Sequence, residues 1–163
     1  MKTKQRPART IRVVAFANEE QGLHGGNAYA KQHADAITNH QIAAESDFGA
    51  GRIYAYSSSA PAHAQAADRQ IAAALAPLGI EHTPGKGGPG PDISPFAAQG
   101  MAWARLAQDG TDYFDLHHTP DDTFDKIDPK ALAQNVAAYT VFAYLAASAE
   151  GNFGSAIATG ATQ

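Results

Sequence analysis

The amino-acid sequence predicts a layered α/β domain, in which short strands alternate with helices around one sheet. A nearly continuous apolar run over residues 11–17 is rich in β-prone side chains and too short for an ordinary helix, which is typical of a strand buried on both faces. Ala-rich segments with apolar residues three and four apart predict helices later in the chain. Acidic and histidine residues are concentrated in the loops that end the predicted strands, where open α/β sheets usually keep their sites.

Composition supports one packed domain and excludes several classes of partner. The 163 residues are 44% hydrophobic and carry 12 Lys and Arg against 16 Asp and Glu, a net charge of −4. A chain of this size should fold around one core, and without a basic stripe it is not expected to bind nucleic acid. It has no cysteine, so any metal must be held by histidine and carboxylate. No apolar stretch is long enough for a membrane span, and residues 11–17 are too short for a signal peptide.

The first half of the chain predicts three strands and one helix. The strand over residues 11–17 is expected at the centre of the sheet, and a glycine-rich turn after it leads into a helix over residues 27–33. Two further short strands are predicted over residues 41–46 and 52–57, around a loop formed by residues 48–51.

An Ala-rich helix and one more strand follow. The helix begins after Pro61 and stops at Gly79, and its apolar face consists of Ala67, Ile71, Ala74, Leu75 and Leu78. Residues 83–91 are too rich in Gly and Pro for regular structure. Residues 101–107 predict a strand, and residues 108–120 a polar and aromatic loop.

The last helix carries the clearest start signal of the chain. Asp128 can cap it, and Pro129 suits its first position. Its buried face is predicted to consist of Leu132, Val136, Tyr139, Ala143 and Ala146.

Acidic residues end two of the predicted strands. Glu19 and Glu20 follow residues 11–17, and neighbouring side chains diverge in an extended chain. One carboxylate can therefore bind a metal while the other addresses the water beside it. Glu45 and Asp47 end the next strand in the same way. Alone, either pair is more often a solvated strand end.

The segment 117–123 adds imidazoles to these carboxylates. Its sequence is His-His-Thr-Pro-Asp-Asp-Thr, with an imidazole suited to zinc and a carboxylate close enough to orient it. A polar loop with hydrogen-bonded histidines is the alternative for this segment alone. The three successive loops at one end of the sheet thus carry glutamate, aspartate and histidine. Together these side chains favour a site for Zn²⁺ or a similar divalent ion.

Four motifs follow one another between residues 9 and 147: a Glu-Glu-Gln-Gly run, a Glu-Ser-Asp, an Asp-Ile-x-Pro and a double histidine before an Asp-Thr. In order and spacing they resemble the C-terminal part of the dizinc exopeptidases of the aminopeptidase Y and carboxypeptidase Q group, the carboxypeptidase Q branch above all. The resemblance implies a three-layer α/β/α domain with a mostly parallel mixed sheet that lacks the family's first strands. It implies the C-terminal portion of a peptidase catalytic domain over residues 11–149, and composition predicts a basic leader over residues 1–10 and a flexible tail over residues 150–163.

The resemblance also implies roles for individual residues. Glu19 matches the general base of the family and Glu20 a zinc ligand, while Asp47 matches a ligand of the other zinc. Family members hold two zinc ions about 3.5–4 Å apart and hydrolyse a bond at the end of a peptide.

The family motif also selects one of the two histidines. The ligand histidine directly precedes Thr or Ser and lies four residues before the Asp of the Asp-Thr, which indicates His118 rather than His117. Asp122 would then lie in contact with His118 and orient it.

The chain departs from the family in its metal ligands. Members contribute two further ligands, a His in a His-x-Asp motif and a bridging Asp, from a segment before the Glu-Glu strand, and this chain has neither in that place. His33 and Asp35 form a His-x-Asp but follow Glu20, which we interpret as a coincidence of surface residues. The remaining histidines have no carboxylate at ligand spacing and are expected in surface or loop roles: His24, His40, His63 and His82. A complete dizinc centre is therefore not expected.

Two interpretations of function stay open at this point. The first is a zinc-dependent exopeptidase (an amino-, carboxy- or dipeptidase) that acts on peptides and is impaired as this chain. The second is a non-catalytic α/β remnant, or one half of an assembly with a second copy or a complementing N-terminal chain; a glutaminyl-cyclase-like enzyme is a weaker rival. Residues 11–17 are expected to be exposed or paired with another copy. The compartment is not assigned, although related proteins are often exported.

Overall fold

The computed structural model describes residues 5–154. Their sheet has four strands, in the order β1-β4-β2-β3: β1 (Ile42–Ala44), β2 (Ile53–Ser58), β3 (Glu81–His82) and β4 (Ala102–Gln108). β4 pairs parallel with β1 and antiparallel with β2, and β2 pairs parallel with β3. This mixed sheet confirms the α/β class, and β1, β2 and β4 lie where the sequence predicts strands.

Five α-helices surround the sheet in the described chain: α1 (His24–Gln32), α2 (Gln65–Leu75), α3 (Ser94–Ala97), α4 (Tyr113–Leu116) and α5 (Pro129–Ser148). Short 3₁₀ segments cover Ala34–Asn39, Ala62–Ala64, Ala76–Leu78 and Phe124–Lys126. Helix α1 begins three residues before the predicted start, and Gly79 ends the α2 region in the left-handed conformation, as predicted. Helix α4 is one short turn inside the predicted loop 108–120.

Two cores lie on the two faces of the sheet, because side chains alternate along each strand. Ala104 and Leu106 of β4 face α2 and α5, in a core that includes Tyr56, Ile71, Leu75, Ala138 and Phe142. Trp103 points the other way and packs against the core that α1 and α3 form, with Ala30, Ile37, Ile93, Phe96 and Met101. The domain therefore has the three layers that the sequence predicts.

Residues 11–17 belong to no strand of the described chain, so their prediction as a central buried strand is wrong. Ile11 and Val13 leave 45% and 93% of their surface exposed, whereas Phe16 packs against Tyr29 and Phe96. A strand needs a neighbour to bond its backbone groups, and no strand among residues 5–154 pairs with this segment. Within the same residues β1 pairs with β4 alone, so the apolar exposure expected on this flank is observed.

Both ends of the described chain are tied to its core. The Arg9 amide donates to the Ala147 carbonyl (3.0 Å) and its guanidinium to the Ala149 carbonyl (2.7 Å), a favourable place for a cation at the end of α5. Phe153 is 1% exposed, and its amide donates to Gln41 Oε1 (3.0 Å). Residues 150–154 are therefore part of the fold, which corrects the predicted tail there. The rest of the predicted leader and tail, 1–4 and 155–163, lies outside the described residues.

Helix α5 begins as predicted, but only part of its predicted buried face is buried. Ala146 lies in the core and Tyr139 and Ala143 pack against it, as predicted. Asp128 caps it by accepting a hydrogen bond from the Lys130 amide (2.8 Å). Leu132 and Val136, predicted as core, are 41% and 60% exposed, and the buried positions are Ala131, Gln134, Asn135, Ala138, Phe142, Ala146 and Ala147. The helix is rotated so that the amide side chains of Gln134 and Asn135 bond to backbone groups at the start of β2. Hydrophobic periodicity does not predict this orientation, because it takes no account of hydrogen bonds.

Gln134 and Asn135 make these backbone contacts. Gln134 Oε1 accepts from the Ile53 amide (2.9 Å), and Gln134 Nε2 donates to the Ile53 carbonyl (2.7 Å). Asn135 Nδ2 donates to the Gly51 carbonyl (2.9 Å), and Asn135 Oδ1 accepts from Gln108 Nε2 (2.7 Å). These amides fix α5 to the start of β2 and to the end of β4.

Gln134→Ala should lower the free energy of unfolding by about 2–4 kcal/mol, because it leaves the buried amide and carbonyl of Ile53 without partners. Urea denaturation measures the effect. Leu132→Ala on the same helix is the matched control and should cost less than half as much, because Leu132 is partly exposed. Equal losses in the two variants would contradict the assigned face of α5.

One histidine has a carboxylate partner that the sequence spacing does not reveal. His82 Nε2 lies 3.4 Å from Asp68 Oδ2, and the buried Asp68 also accepts hydrogen bonds from the hydroxyls of Tyr56 (2.6 Å) and Ser58 (2.5 Å). His82 thus lies in β3 beside a carboxylate, whereas the sequence predicts a surface or loop role for it. The network fixes α2 to β2 and β3, and burial, followed by the contact with Asp68, raises the pKa of Tyr56.

Candidate active site

A tight reversal between residues 17 and 25 carries the two glutamates. The amides of Gly22 and Leu23 both donate to the Glu19 carbonyl (3.0 and 2.9 Å), and the Gly25 amide donates to the Ala17 carbonyl (2.9 Å). A Cβ at Gly25 would lie 2.6 Å from the Ala17 nitrogen, so the close approach requires glycine. Asn18, directly before the glutamates, has a left-handed backbone (φ 58°) that asparagine tolerates.

His118 contacts Glu20 directly. His118 Nε2 lies 2.7 Å from Glu20 Oε1, although the two residues are 98 positions apart in the sequence. The Thr119 amide donates to the Leu116 carbonyl (2.9 Å), which closes a turn with His118 at its left-handed position (φ 60°). Both side chains are exposed, so the pair is accessible to an ion or a substrate.

A candidate metal cluster surrounds this contact. Ligand atoms of Glu20, His117 and His118 all lie within 4.8 Å of one another. An oxygen from a carboxylate and a nitrogen from an imidazole are the donors that zinc accepts in proteins, so the chemistry of these donors fits zinc. The family motif selected His118 rather than His117 as the ligand, and in the structure His117 nevertheless lies close to Glu20 and His118.

Glu19 lies among several charges. Burial raises the pKa of the Glu19 carboxyl, and the negative charges of Glu20, Asp47 and Asp92 raise it further, against an opposing effect of His118. The charges of Glu20, Asp47 and His118 thus all act on Glu19. Asp47 has no side-chain hydrogen bond or ion pair within residues 5–154.

Asp122 does not reach His118 by a direct bond. Its side chain is exposed, and no hydrogen bond or ion pair joins the two residues in the described part of the chain. Its charge does act on the neighbouring Tyr113. Its role in orienting His118 stays a prediction.

Sequence reasoning missed two residues of this site. Burial and the charge of Asp47 raise the pKa of Asp92, and Asp92 Oδ1 is buried without a hydrogen-bond partner among the described residues. The Asp-Ile-x-Pro motif contains this residue and could have indicated it. Burial raises the pKa of Tyr113, and nearby negative charges raise it further: those of Asp47, Glu20, Glu19 and Asp122. Tyr113 therefore also lies near the carboxylates. No signal in the sequence distinguishes Tyr113 from other aromatic residues of its loop.

A cavity of about 190 Å³ opens beside Asp47. Glu45, Phe48, residues 88–91 and residues 104–108 line the rest of it. The Gly- and Pro-rich loop predicted over residues 83–91 thus forms one wall. Glu45 Oε2 accepts from the Ile93 amide (3.1 Å) and fixes the position of Asp92.

His118→Gly should lower the free energy of unfolding by about 1 kcal/mol less than His117→Gly, because both lose the stacked ring but a non-glycine residue in the left-handed region is strained. The exposed hydrogen bond to Glu20 that it removes contributes less than this. His117→Gly is the matched control and should lower stability, because the φ of His117 is −50°. Urea denaturation of both variants tests the turn, and a loss in His118→Gly as large as in His117→Gly would contradict it.

The described helices contain none long and apolar enough to cross a membrane. A glutamate held among negative charges, next to carboxylate and imidazole donors at one end of an α/β sheet, is typical of metal-dependent hydrolases.

The chain also matches a known family over most of its length. The model of the family described as Peptidase family M28 matches residues 1–143, and the chain belongs to this family.

Individual relatives agree with this assignment. The chain is 31% identical to carboxypeptidase Q of Bos taurus and 32% identical to carboxypeptidase Q of Homo sapiens, each over 145 residues, or 89% of the chain and 30% of the relative. A crystal structure of a Peptidase M28 precursor from Shewanella amazonensis SB2B is 49% identical, with a TM-score of 0.87, over 92% of this chain and 34% of that one. The chain thus spans about a third of the length of the relatives that it matches.

Proposed function

We propose that the chain carries part of the active site of a zinc-dependent exopeptidase that hydrolyses terminal peptide bonds. The observation that carries the proposal is the 2.7 Å contact between Glu20 and His118, next to Glu19. Two segments far apart in the sequence bring the Glu20 carboxylate and the His118 imidazole into contact. Glu19 is adjacent to Glu20 and takes no part in this contact. Membership of peptidase family M28 supports the same function.

Glu20 and His118 would hold one zinc ion and Asp47 would contribute to a second. Asp122 does not bond to His118 in this structure and would have to turn toward it to orient it. When bound, zinc polarises the scissile carbonyl and lowers the pKa of water. The cavity beside Asp47 would take a substrate group next to the scissile bond.

Glu19 is the proposed general base. As the water oxygen bonds to the carbonyl carbon, a Glu19 carboxylate oxygen accepts the proton that the water loses. The same carboxyl then delivers this proton to the amine nitrogen as the carbon–nitrogen bond breaks. The raised pKa of Glu19 supports this role, because it increases the affinity of the carboxylate for the proton.

The chain alone would have an incomplete site. Glu20 and His118 give one metal two protein ligands and Asp47 gives the other only one, whereas a catalytic zinc usually keeps three. We propose that the other ligands come from a polypeptide that also covers residues 11–17 and the free edge of β1. Two observations support a complementing segment of M28 type. Apolar side chains are exposed at residues 11–17, and the relatives are about three times as long as this chain.

The test is peptide hydrolysis with and without that segment. The chain alone, loaded with zinc, should hydrolyse dipeptides at a rate close to background. Coexpression with the part of the Shewanella amazonensis peptidase that this chain does not match should raise the rate by at least about 100-fold, since both ions are then fixed. Rapid hydrolysis by the chain alone would contradict the missing ligands, and a complex without activity would contradict the proposed function.

A further inference from the structure

Four rings form a continuous stack between the two parts of the candidate site. The ring centroids are 4.0 Å apart for Phe48 and Tyr113, 4.6 Å for Tyr113 and His117, and 3.6 Å for His117 and His118. The angles between successive planes are 20°, 26° and 22°. We call this set the aromatic column.

The column has a fixed end. Phe48 directly follows Asp47, in the loop after β1, and a Cβ at Gly110 would lie 2.1 Å from the Phe48 ring. Tyr113 packs over Gly49, where a Cβ would lie 3.3 Å from Tyr113 Cδ2. The glycines allow the rings to approach the backbone closely, so the Phe48 end is held by the body of the domain.

The other end is His118, which has few other contacts. Its side chain is 58% exposed, and its hydrogen bond to Glu20 is the one side-chain bond that the described residues give it. An exposed imidazole with one hydrogen bond can rotate, whereas a face packed on a neighbouring ring holds the ring plane. The plane of His118 decides whether Nε2 points at Glu20.

The stack also bears on the role of His117. A metal bound to an imidazole nitrogen lies close to the plane of that ring, about 2.0–2.1 Å from the nitrogen for zinc. The planes of His117 and His118 are 3.6 Å apart at their centroids and only 22° from parallel. Such planes do not meet within a bond length of either ring, so the two imidazoles as stacked cannot share one zinc.

We propose that the aromatic column positions His118 for metal binding, with Tyr113 and His117 as positioning residues and His117 as a stacked spacer rather than a ligand. The inference rests on the proposed zinc site. It also assigns a role to His117, which lies in the cluster of candidate ligands but which the proposed function does not use. The column also connects His118 to the loop of Asp47, so it sets the distance between the two parts of the site.

The test compares variants that keep the stack with variants that break it, in the full chain. Zinc affinity is measured by competition with a chromophoric chelator. His117→Ala and Tyr113→Leu should weaken zinc binding by about 10-fold or more, as loss of an orienting partner does. His117→Phe and Tyr113→Phe keep a flat ring and should retain nearly the affinity of the unaltered chain. Tyr54→Leu, at an exposed position of β2, is the control for loss of a tyrosine.

A second measurement needs no metal. NMR of the His118 imidazole in the metal-free chain reports ring-current shifts and, through the nitrogen resonances, the hydrogen bond of Nε2 to Glu20. Tyr113→Leu and His117→Ala should move these signals toward those of a free histidine, and the two Phe variants should leave the nitrogen shifts in place. This measurement tests the column even if the proposed zinc site is absent.

Each outcome decides the proposal. If His117→Phe loses as much zinc affinity as His117→Ala, His117 is a ligand and the spacer role is wrong. If Tyr113→Leu changes neither the zinc affinity nor the His118 resonances, the column does not position His118. A chain that binds no zinc while its His118 signals follow the stack supports the column and contradicts the proposed metal site.

Discussion

Glu19→Gln should lower the turnover of the complemented peptidase by about 10²–10⁴-fold while its zinc content stays unchanged. Glutamine keeps the shape of the side chain but cannot accept the proton of the attacking water. Of the two adjacent glutamates, Glu19 is the one that the Glu20–His118 contact leaves free for this proton. The rate of dipeptide hydrolysis and the metal content of the same sample measure the two quantities.

Glu150→Gln is the matched control for this change. It makes the same chemical substitution at an exposed position that follows α5, and it should leave turnover within about twofold, as surface substitutions usually do. If Glu19→Gln loses zinc as well as turnover, Glu19 is a ligand and not a base. Unchanged turnover would remove it from the mechanism.

Glu20→Ala and His118→Ala should each weaken zinc binding to the isolated chain by at least about 100-fold, because each removes one of the two proposed ligands of the same ion. The paired loss is the informative result, since the residues come from segments 98 positions apart. Binding is measured by competition with a chelator at fixed pH, because the ligands must be deprotonated to bind.

His63→Ala is the control for loss of a histidine. His63 is exposed and shares a hydrogen bond with Asn152 (3.2 Å), away from the cluster of candidate ligands, and its removal should not change zinc affinity. A comparable loss in His63→Ala would indicate scattered surface binding. Loss in only one of the two site variants would contradict a shared ion.

Local signals predicted much of the fold. The cap at Asp128, the glycine stop at Gly79 and the Gly- and Pro-rich loop over residues 83–91 depend on neighbours in sequence, and each lies where it was predicted. Residues 11–17 have the composition of a buried strand, but whether they form one depends on pairing partners, and no local pattern supplies these. The buried face of α5 was predicted only in part for a similar reason, since Gln134 is buried by its bonds to the backbone of Ile53.

The site was predicted in part. Motif spacing selected Glu20 and His118, and the structure brings them into contact. Asp92 was present in a motif but had no assigned role, and its relation to Asp47 depends on how the loop after the Gly- and Pro-rich segment folds back onto β1. The stacking of His117 on His118 accompanies a turn in which His118 has a left-handed backbone, and the sequence pattern did not predict this turn.

The central claim is that Glu20 and His118 bind one zinc ion beside Glu19. Anomalous diffraction at the zinc edge from crystals of the zinc-loaded chain tests it most directly. We expect a peak about 2.0–2.2 Å from a Glu20 carboxylate oxygen and from His118 Nε2, with His117 outside the coordination sphere and the Glu19 carboxylate free to face a bound water. A peak at other histidines, such as His33 and His40, with none between Glu20 and His118, would contradict the account.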